Sequence, residues 1–276
     1  MPHDQQTKAA KFIELHKRDG AFVIPNPWDV GSARILGSLG FEALATTSAG
    51  LAFSLGLTDG SVTMQQALDH CAAIVAASDL PVSADLEKGF GDSPEAVAET
   101  IAAAAKTGLA GCSIEDFSGD PAAPIYDFNL ALDRIAAAVE AARSLPHDFV
   151  LTARSENYLR GNPDLDDTIK RLQAFEAAGA DVLYAPGLPT LDDIRAVCAA
   201  LTRPVNVVVG APKTPYGVAE LAEAGVKRIS VGATFARLAY GEVIRAAQEI
   251  AGPGTLGFTD RAMGFAELSG YFKEPD

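Results

Sequence analysis

Two carboxylates two residues apart, followed by two glycines, stand out in Ala84-Asp85-Leu86-Glu87-Lys88-Gly89-Phe90-Gly91-Asp92. The apolar run before them, Leu80-Pro81-Val82-Ser83, reads as a strand. Strand side chains alternate faces, which puts Ser83, Asp85 and Glu87 on one side. Carboxylates held this close repel each other unless a cation lies between them. Other apolar runs also end in polar groups. One ends in Ser113, Glu115 and Asp116, with Ser113 and Glu115 on one face, and another in Thr152, Arg154 and Glu156. Thr46, Thr47 and Ser48, followed by Ala49-Gly50, end a third. Asn26, Trp28 and Asp29 end the first run, and Asn206 lies in the seventh. The sixth ends in Ala185-Pro186-Gly187 with no ionisable group. Any one of these reads equally well as a solvated strand end. Together they put several charges on inward faces, which is costly unless the charges are paired or bound to metal.

The metal type follows by elimination. His3, His16, His70 and His147 fall at no strand's C-terminal end and read as surface residues. Cys71, Cys112 and Cys198 lie far apart and form no CxxC pair, against both a disulfide framework and a thiolate zinc site. An all-oxygen donor set with few carboxylates suits Mg2+, or Mn2+, with water completing an octahedron.

These groups need a frame that gathers strand ends. β-rich runs recur at 21–25, 43–48, 81–87, 111–117, 148–155, 181–186, 204–209 and 228–232, separated by Ala/Leu-rich segments of helical period. Gly40, Gly108, Gly179 and Gly225 each follow such a segment and precede a strand, where a left-handed residue ends a helix. Ser93-Pro94-Glu95 offers an N-cap with proline at the first helical position. Eight alternating units predict a (β/α)8 TIM barrel, whose chemistry sits at the C-terminal strand ends. An open doubly wound sheet is the rival. It would want an early glycine-rich phosphate loop, and Pro25-Asn26-Pro27-Trp28-Asp29 has none. The expectation is a single barrel domain over 1–276, with a helix within residues 1–20 and further helices in 234–276. Phe117 to Asn129 reads as a surface loop that could act as a lid.

With 276 residues, 48% of them hydrophobic, a substantial core is available. The formal net charge of −14 disfavours nucleic acid and anionic membrane as partners. No apolar run is long enough to span a bilayer, and Met1 to Lys8 has no signal-like core, so a cytoplasmic protein is expected. An anionic substrate would need local positive charge, such as a metal or an arginine, to overcome the global field.

The motifs together resemble the isocitrate lyase/phosphoenolpyruvate mutase superfamily over nearly the whole chain. Asp85-Leu86-Glu87 with Gly89-Phe90-Gly91 is similar to its metal-site segment, and Ser54-Leu55-Gly56-Leu57-Thr58-Asp59 to its run after strand two. Ser113-Ile114-Glu115-Asp116 and Ala153-Arg154 with Glu156 resemble its strand-four and strand-five motifs. The resemblance implies that Asp85, Glu87 and Glu115 hold Mg2+, directly or through water, with Asp59 in support. It implies that Arg154 pairs with a substrate carboxylate. Backbone amides near Ser48-Ala49-Gly50 would hold a carboxylate or enolate oxygen, with Thr47 able to take the role given to Ser48. Asn206 joins the substrate-binding set.

The implied activity is Mg2+-dependent cleavage of a C–C bond next to an α-keto acid, through an enolpyruvate intermediate, as in oxaloacetate decarboxylation. The family's lyases carry a Lys-Lys/Arg-Cys-Gly-His segment after strand four, and its mutases a Lys-x-Asn element. Here the loop reads Phe117-Ser118-Gly119-Asp120-Pro121-Ala122-Ala123-Pro124-Ile125-Tyr126-Asp127. Cleavage with a cysteine acid is therefore not expected. P–C bond chemistry and a non-catalytic binding barrel remain as alternatives. The aromatic and aliphatic residues of 235–272 predict a dimer or tetramer, in keeping with the family's exchange of its last helices.

Overall fold

A computed structural model describes residues 5–210 and 215–273. His3 lies outside them. Eight parallel strands form a nearly closed barrel: β1 (Phe22–Ile24), β2 (Leu44–Ala45), β3 (Val82–Asp85), β4 (Gly111–Glu115), β5 (Val150–Arg154), β6 (Val182–Tyr184), β7 (Val205–Val208) and β8 (Arg228–Ser230). Neighbours pair in order from β2 through β8 and back to β1. The remaining seam, between β1 and β2, is held by the Ala45 amide donating to the Pro25 carbonyl at 3.0 Å. The Asn26 side chain reinforces it. Its amide donates to the Thr46 carbonyl, and its oxygen accepts from the Val231 and Gly232 amides. Asn26, a polar strand end in the sequence, is thus committed to closing the barrel.

Helix α1 (Gln5–Lys17) precedes the barrel. Around it run α2 (Val30–Ser38), α3 (Ser48–Ser54), α4 (Met64–Ala76), α5 (Pro94–Ala105), α6 (Phe128–Arg143), α7 (Leu165–Ala177), α8 (Leu191–Ala200) and α9 (Val218–Glu223). After β8 come α10 (Thr234–Ala251), a 3-10 turn (Gly257–Arg261) and α11 (Phe265–Gly270). The expected punctuation holds. Gly40, Gly108, Gly179 and Gly225 all have φ between 84° and 104°. Ser93 caps α5, accepting from the Ala96 amide, with Pro94 in the first turn.

Most of the core lies between the strands and the helical ring. A smaller cluster sits at the N-terminal end of the barrel, where Ala9, Phe12 and Leu15 of α1 meet Phe22, Val150 and Val182 at the starts of their strands. This end corrects the reading of His16 as a surface residue. It is buried, edge-on to Phe12 and Phe22, because α1 lies across the barrel's base. His70 is half-buried and bonded to the Trp28 carbonyl at 3.1 Å, again not a surface group.

The strands are shorter than the sequence suggested, with consequences at the rim. β2 stops at Ala45, and Ser48 opens α3 instead of ending a strand. β3 stops at Asp85, so alternation does not place Glu87 beside it. Glu87 takes φ 50° and Phe90 φ 56°, a left-handed conformation that L residues seldom adopt. The segment from 117 onward is shorter than the expected loop, because Phe128 and Asn129 already belong to α6. It is a closed hairpin. Phe117 bridges Ile125, the Ser118 amide donates to the Pro124 carbonyl at 2.8 Å, and Lys88 Nζ holds the Ser118 carbonyl at 2.7 Å.

Candidate active site

Strand register assembles the site. Lateral pairs run Glu115–Arg154, Arg154–Tyr184, Tyr184–Asn206 and Asn206–Arg228, one continuous row around the barrel. The row starts at the last residue of β4 and ends at the first of β8, as tilted strands require. Glu115 and Arg154 therefore lie at the C-terminal rim, whereas Asn206 and Arg228 lie deeper in the interior. A cavity of about 60 Å3 opens over Arg154, Tyr184, Asn206 and Arg228 of this row and is also lined by Thr47, Ser83, Asp85 and Ser113.

Asp85 is the hub. Its Oδ2 accepts from the Ser48 amide at 3.3 Å and the Ser48 hydroxyl at 3.1 Å, and its Oδ1 accepts from the Glu87 amide at 3.3 Å. Its own amide donates to Thr46 Oγ1 at 3.0 Å. Ser48 can take this position because Thr47 caps α3, accepting from the Gly50 amide at 3.3 Å. A Cβ on Gly50 would come within 2.5 Å of Thr47 Cγ2 and 2.8 Å of Trp28 Cβ, so only glycine fits. Two of the three expected oxygen-binding amides are thus already engaged, Ser48 by Asp85 and Gly50 by Thr47.

Around Asp85 the electrostatics are crowded. Partial burial, then the charges of Asp85 and Asp59, push the Glu87 carboxyl up to about 7. Asp59, in an exposed turn, is raised by desolvation from the surrounding protein and by Asp85. Burial at the barrel mouth raises the Glu115 carboxyl well above its ordinary range. Burial also works against Arg154, but Glu156 and Glu115 outweigh it and keep it cationic. Arg154 Nη1 lies 3.4 Å from Glu115 Oε2 and 4.0 Å from Asp85 Oδ1. Its Nε donates to Glu156 Oε1, and its guanidinium faces the Tyr184 ring.

No three His, Cys, Asp or Glu side chains among the described residues converge as a ready-made metal cage. Arg154 stands between Asp85 and Glu115, which keeps them apart. The donor chemistry nevertheless fits a hard divalent cation. The groups are all oxygen, they carry more negative than positive charge, and burial with the charges of Asp85 and Asp59 lifts Glu87 to about 7 despite Arg154 and Arg160. A spread set of this kind suits an ion that keeps several of its waters.

Asn206 is brought to the interior, where it lines the cavity and is hydrogen-bonded on both sides. Its amide donates to Ser230 Oγ at 3.1 Å, and its oxygen accepts from Arg228 Nε at 2.8 Å. Arg228 is buried, with no carboxylate partner among the described residues. It donates to Thr152 Oγ1, and burial lowers it to about 10. The sequence reading missed Arg228, although alternation from Ser230 would have placed it inward. It also missed Arg134, which is buried inside the apolar stripe of α6. Arg134 donates to the Lys88, Gly91 and Asp92 carbonyls and so fixes the turn that carries Glu87. Asp116 likewise holds the rim from below, accepting from the Glu156 amide at 2.7 Å and from Arg171 at 3.3 Å. Arg160 was missed because it lies six residues beyond Arg154, in a 3-10 turn (Asn157–Arg160).

A larger cavity, about 1010 Å3, opens at the opposite end of the barrel, beside α1. Two of the cations lining it are committed to neighbours. Arg143 pairs with Asp181 at 2.7 Å, and Lys227 Nζ holds the Arg18 and Gly20 carbonyls. The chemistry-bearing groups are at the rim, not in this larger space.

Comparison with known proteins supplies an independent line. The sequence profile of the phosphoenolpyruvate phosphomutase family matches residues 12–251. A crystal structure of a Burkholderia cenocepacia J2315 protein, described only as a lyase/mutase, superimposes with a TM-score of 0.96 at 55% identity, covering 99% of this chain and 98% of that one. An oxaloacetate decarboxylase of Paraburkholderia xenovorans is 31% identical over 82% of this chain and 76% of its own. A 2-methylisocitrate lyase of Shewanella oneidensis is 32% identical over 69% of this chain and 67% of its own.

Proposed function

From the premise that this chain belongs to the phosphoenolpyruvate mutase family of lyases and mutases, we propose that it is a divalent-metal-dependent lyase. Its reaction cleaves a C–C bond adjacent to an α-keto acid, with an oxaloacetate-like carboxylate as substrate and an enolpyruvate intermediate. One observation carries the reading: Asp85, Glu115 and Arg154 meet at the barrel rim. Asp85, Glu87 and Glu115 would hold Mg2+, or Mn2+, partly through water, with Asp59 in support. The ion would supply Lewis-acid stabilisation of negative charge developing on a keto oxygen.

The chain's own residues do the rest. Ser48 fixes the rotamer of Asp85 through two donors on one oxygen. Arg154, freed from the acidic gap, would take the substrate carboxylate, its planar fork matching two oxygens. Amides of the Thr47 to Gly50 turn lie beside that position, and the Ala49 amide, unlike those of Ser48 and Gly50, is not engaged by Asp85 or Thr47. Oriented donors of this kind are worth ~3 kcal/mol each in the barrier. The Phe117–Tyr126 hairpin has no cysteine, lysine or histidine, which favours bond cleavage by decarboxylation, where no cysteine acid is needed.

We place the whole chain in one functional unit, cytoplasmic and oligomeric. Among the described residues no helix is long and apolar enough to cross a membrane. Leu238 and Val243 of α10, Met263 just before α11 and Phe265 of α11 are exposed, Phe265 by 90%, and a second copy would cover them. The central test is turnover. With Mg2+ the purified protein should consume oxaloacetate, lose activity in chelator and regain it on adding Mg2+ or Mn2+. Turnover of phosphonopyruvate alone would move the assignment to P–C chemistry. Tight metal binding with no turnover of any keto acid would leave a binding barrel.

A further inference from the structure

A second arginine stands at the rim beside Arg154. The two share one anchor: the fully buried Glu156 accepts from Arg154 Nε on one oxygen and from Arg160 Nε, at 3.0 Å, on the other. They also face one carboxylate across the site. Arg154 Nη1 lies 3.4 Å from Glu115 Oε2, and Arg160 Nη2 lies 4.0 Å from Glu115 Oε1. The two guanidinium heads are therefore no further apart than one carboxylate and its contacts.

Arg160 is held rigidly. Its guanidinium lies 3.5 Å from the centre of the Phe117 ring. The 3-10 turn that carries it ends at Gly161, with φ 82°. Buried Asn157 ties the turn to α7 through Asp167 at 2.9 Å and Thr168 at 3.1 Å. Yet its Nη edge makes no hydrogen bond among the described residues, since the contact to Glu115 is beyond bonding distance. With 31% of its side chain exposed, against 14% for Arg154, it is the more open of the two. A guanidinium fixed through Nε and one face, with a free two-nitrogen edge, is prepared for an anion.

We infer that Arg160 is a specificity-determining residue that binds a second carboxylate of the substrate, making this a site for short keto dicarboxylates over keto monocarboxylates. The inference rests on the lyase reading above, in which Arg154 takes the carboxylate next to the keto group. Arg160 then lies within reach of the distal carboxylate of the same molecule. Phe117 and Glu156 are positioning residues that hold its free edge toward the site. The competing role for Arg160 is purely structural, as a counter-charge for Glu156.

Calorimetric titration in Mg2+ separates these roles. The probes are pyruvate and 3,3-difluorooxaloacetate, a keto dicarboxylate that cannot enolise. In Arg160→Gln the dicarboxylate should bind about 30-fold more weakly, with pyruvate changed by less than about 3-fold. In Arg154→Gln both should weaken. Arg160→Lys keeps a cation near Glu156 without the planar edge, and should give the same selectivity change at smaller size. It serves if the glutamine variant does not fold. Equal weakening of both probes, or no change in either, would overturn the assignment while leaving the lyase reading intact. A wild-type protein that binds neither probe would overturn the lyase reading and this inference with it.

Discussion

The two ends of the barrel treat buried charge in opposite ways. At the C-terminal rim, Asp59, Asp85, Glu87, Glu115 and Glu156 crowd around Arg154 and Arg160, and at least one carboxyl is held protonated toward neutral pH. At the N-terminal base, α1 seals an apolar cluster, and His16, enclosed there, is kept neutral. His16 donates from Nδ1 to the Phe12 carbonyl at 2.8 Å, which leaves Nε2 bare, and that atom has no partner. Burial, together with nearby Arg228 and Lys227, drives its pKa down to about 3. At the base Lys8 and Arg143 each have a local partner, Lys8 the Ser78 carbonyl and Arg143 the Asp181 carboxylate. The rim accumulates charge beyond what its arginines balance, and such uncompensated charge is where a cation or a charged ligand has work to do. The strain follows the same division, with the left-handed non-glycine residues Glu87 and Phe90 both at the rim.

The sharpest test of this contrast is Asp85→Ala. It should lower metal-dependent turnover by about 10³-fold, while circular dichroism and thermal unfolding stay near wild type. Full activity in Mg2+ would mean that the rim is not the site. Glu156→Ala comes next. It leaves two rim arginines without their shared anchor and should cost about 3 kcal/mol in urea unfolding, because the truncated partner is fully buried. A neutral outcome would show that the rim charges are solvated after all.

The two ends should also answer pH with opposite signs. Glu87 has a folded pKa near 7, above the ordinary carboxylate value of 4.5. Its contribution to stability is therefore complete below about 4.5 and is lost as pH rises through 7 in metal-free protein. Mg2+ favours the carboxylate, so it should raise the melting temperature more at pH 8 than at pH 5, and Glu87→Gln should flatten that difference. The smallest effect belongs to the base. The folded pKa of His16 lies below its ordinary 6.5, so its contribution is complete above 6.5 and is lost as pH falls toward 3. His16→Gln should remove that acid-side slope and leave the response to Mg2+ untouched. If His16→Gln altered the Mg2+ response, the two ends would not be independent.

Much of this protein was legible in the chain itself. Eight apolar runs, four glycines at helix ends and one Ser-Pro cap fixed the barrel, because these signals are local: period, capping and φ preference act within a few residues. The polar strand ends marked the rim for the same reason, since a barrel of this type exposes its strand C-termini on one face. Wherever the chain leaves regular structure, the local rules ran out. Alternation placed Glu87 beside Asp85, but the strand stops and a left-handed turn, braced by Arg134 from α6, carries Glu87 instead. Ser48 read as a strand end and proved to be the first residue of a helix that clamps Asp85. His16 read as exposed because nothing in α1 itself says that it lies over the barrel's base. Arg160 was invisible because a turn folds it back beside Arg154. The sequence by itself determined the element types and the face on which polar groups gather, since both depend on short-range geometry. Only the tertiary structure decided which arginine faces which carboxylate, and which histidine lost its water, because those depend on packing between residues distant along the chain.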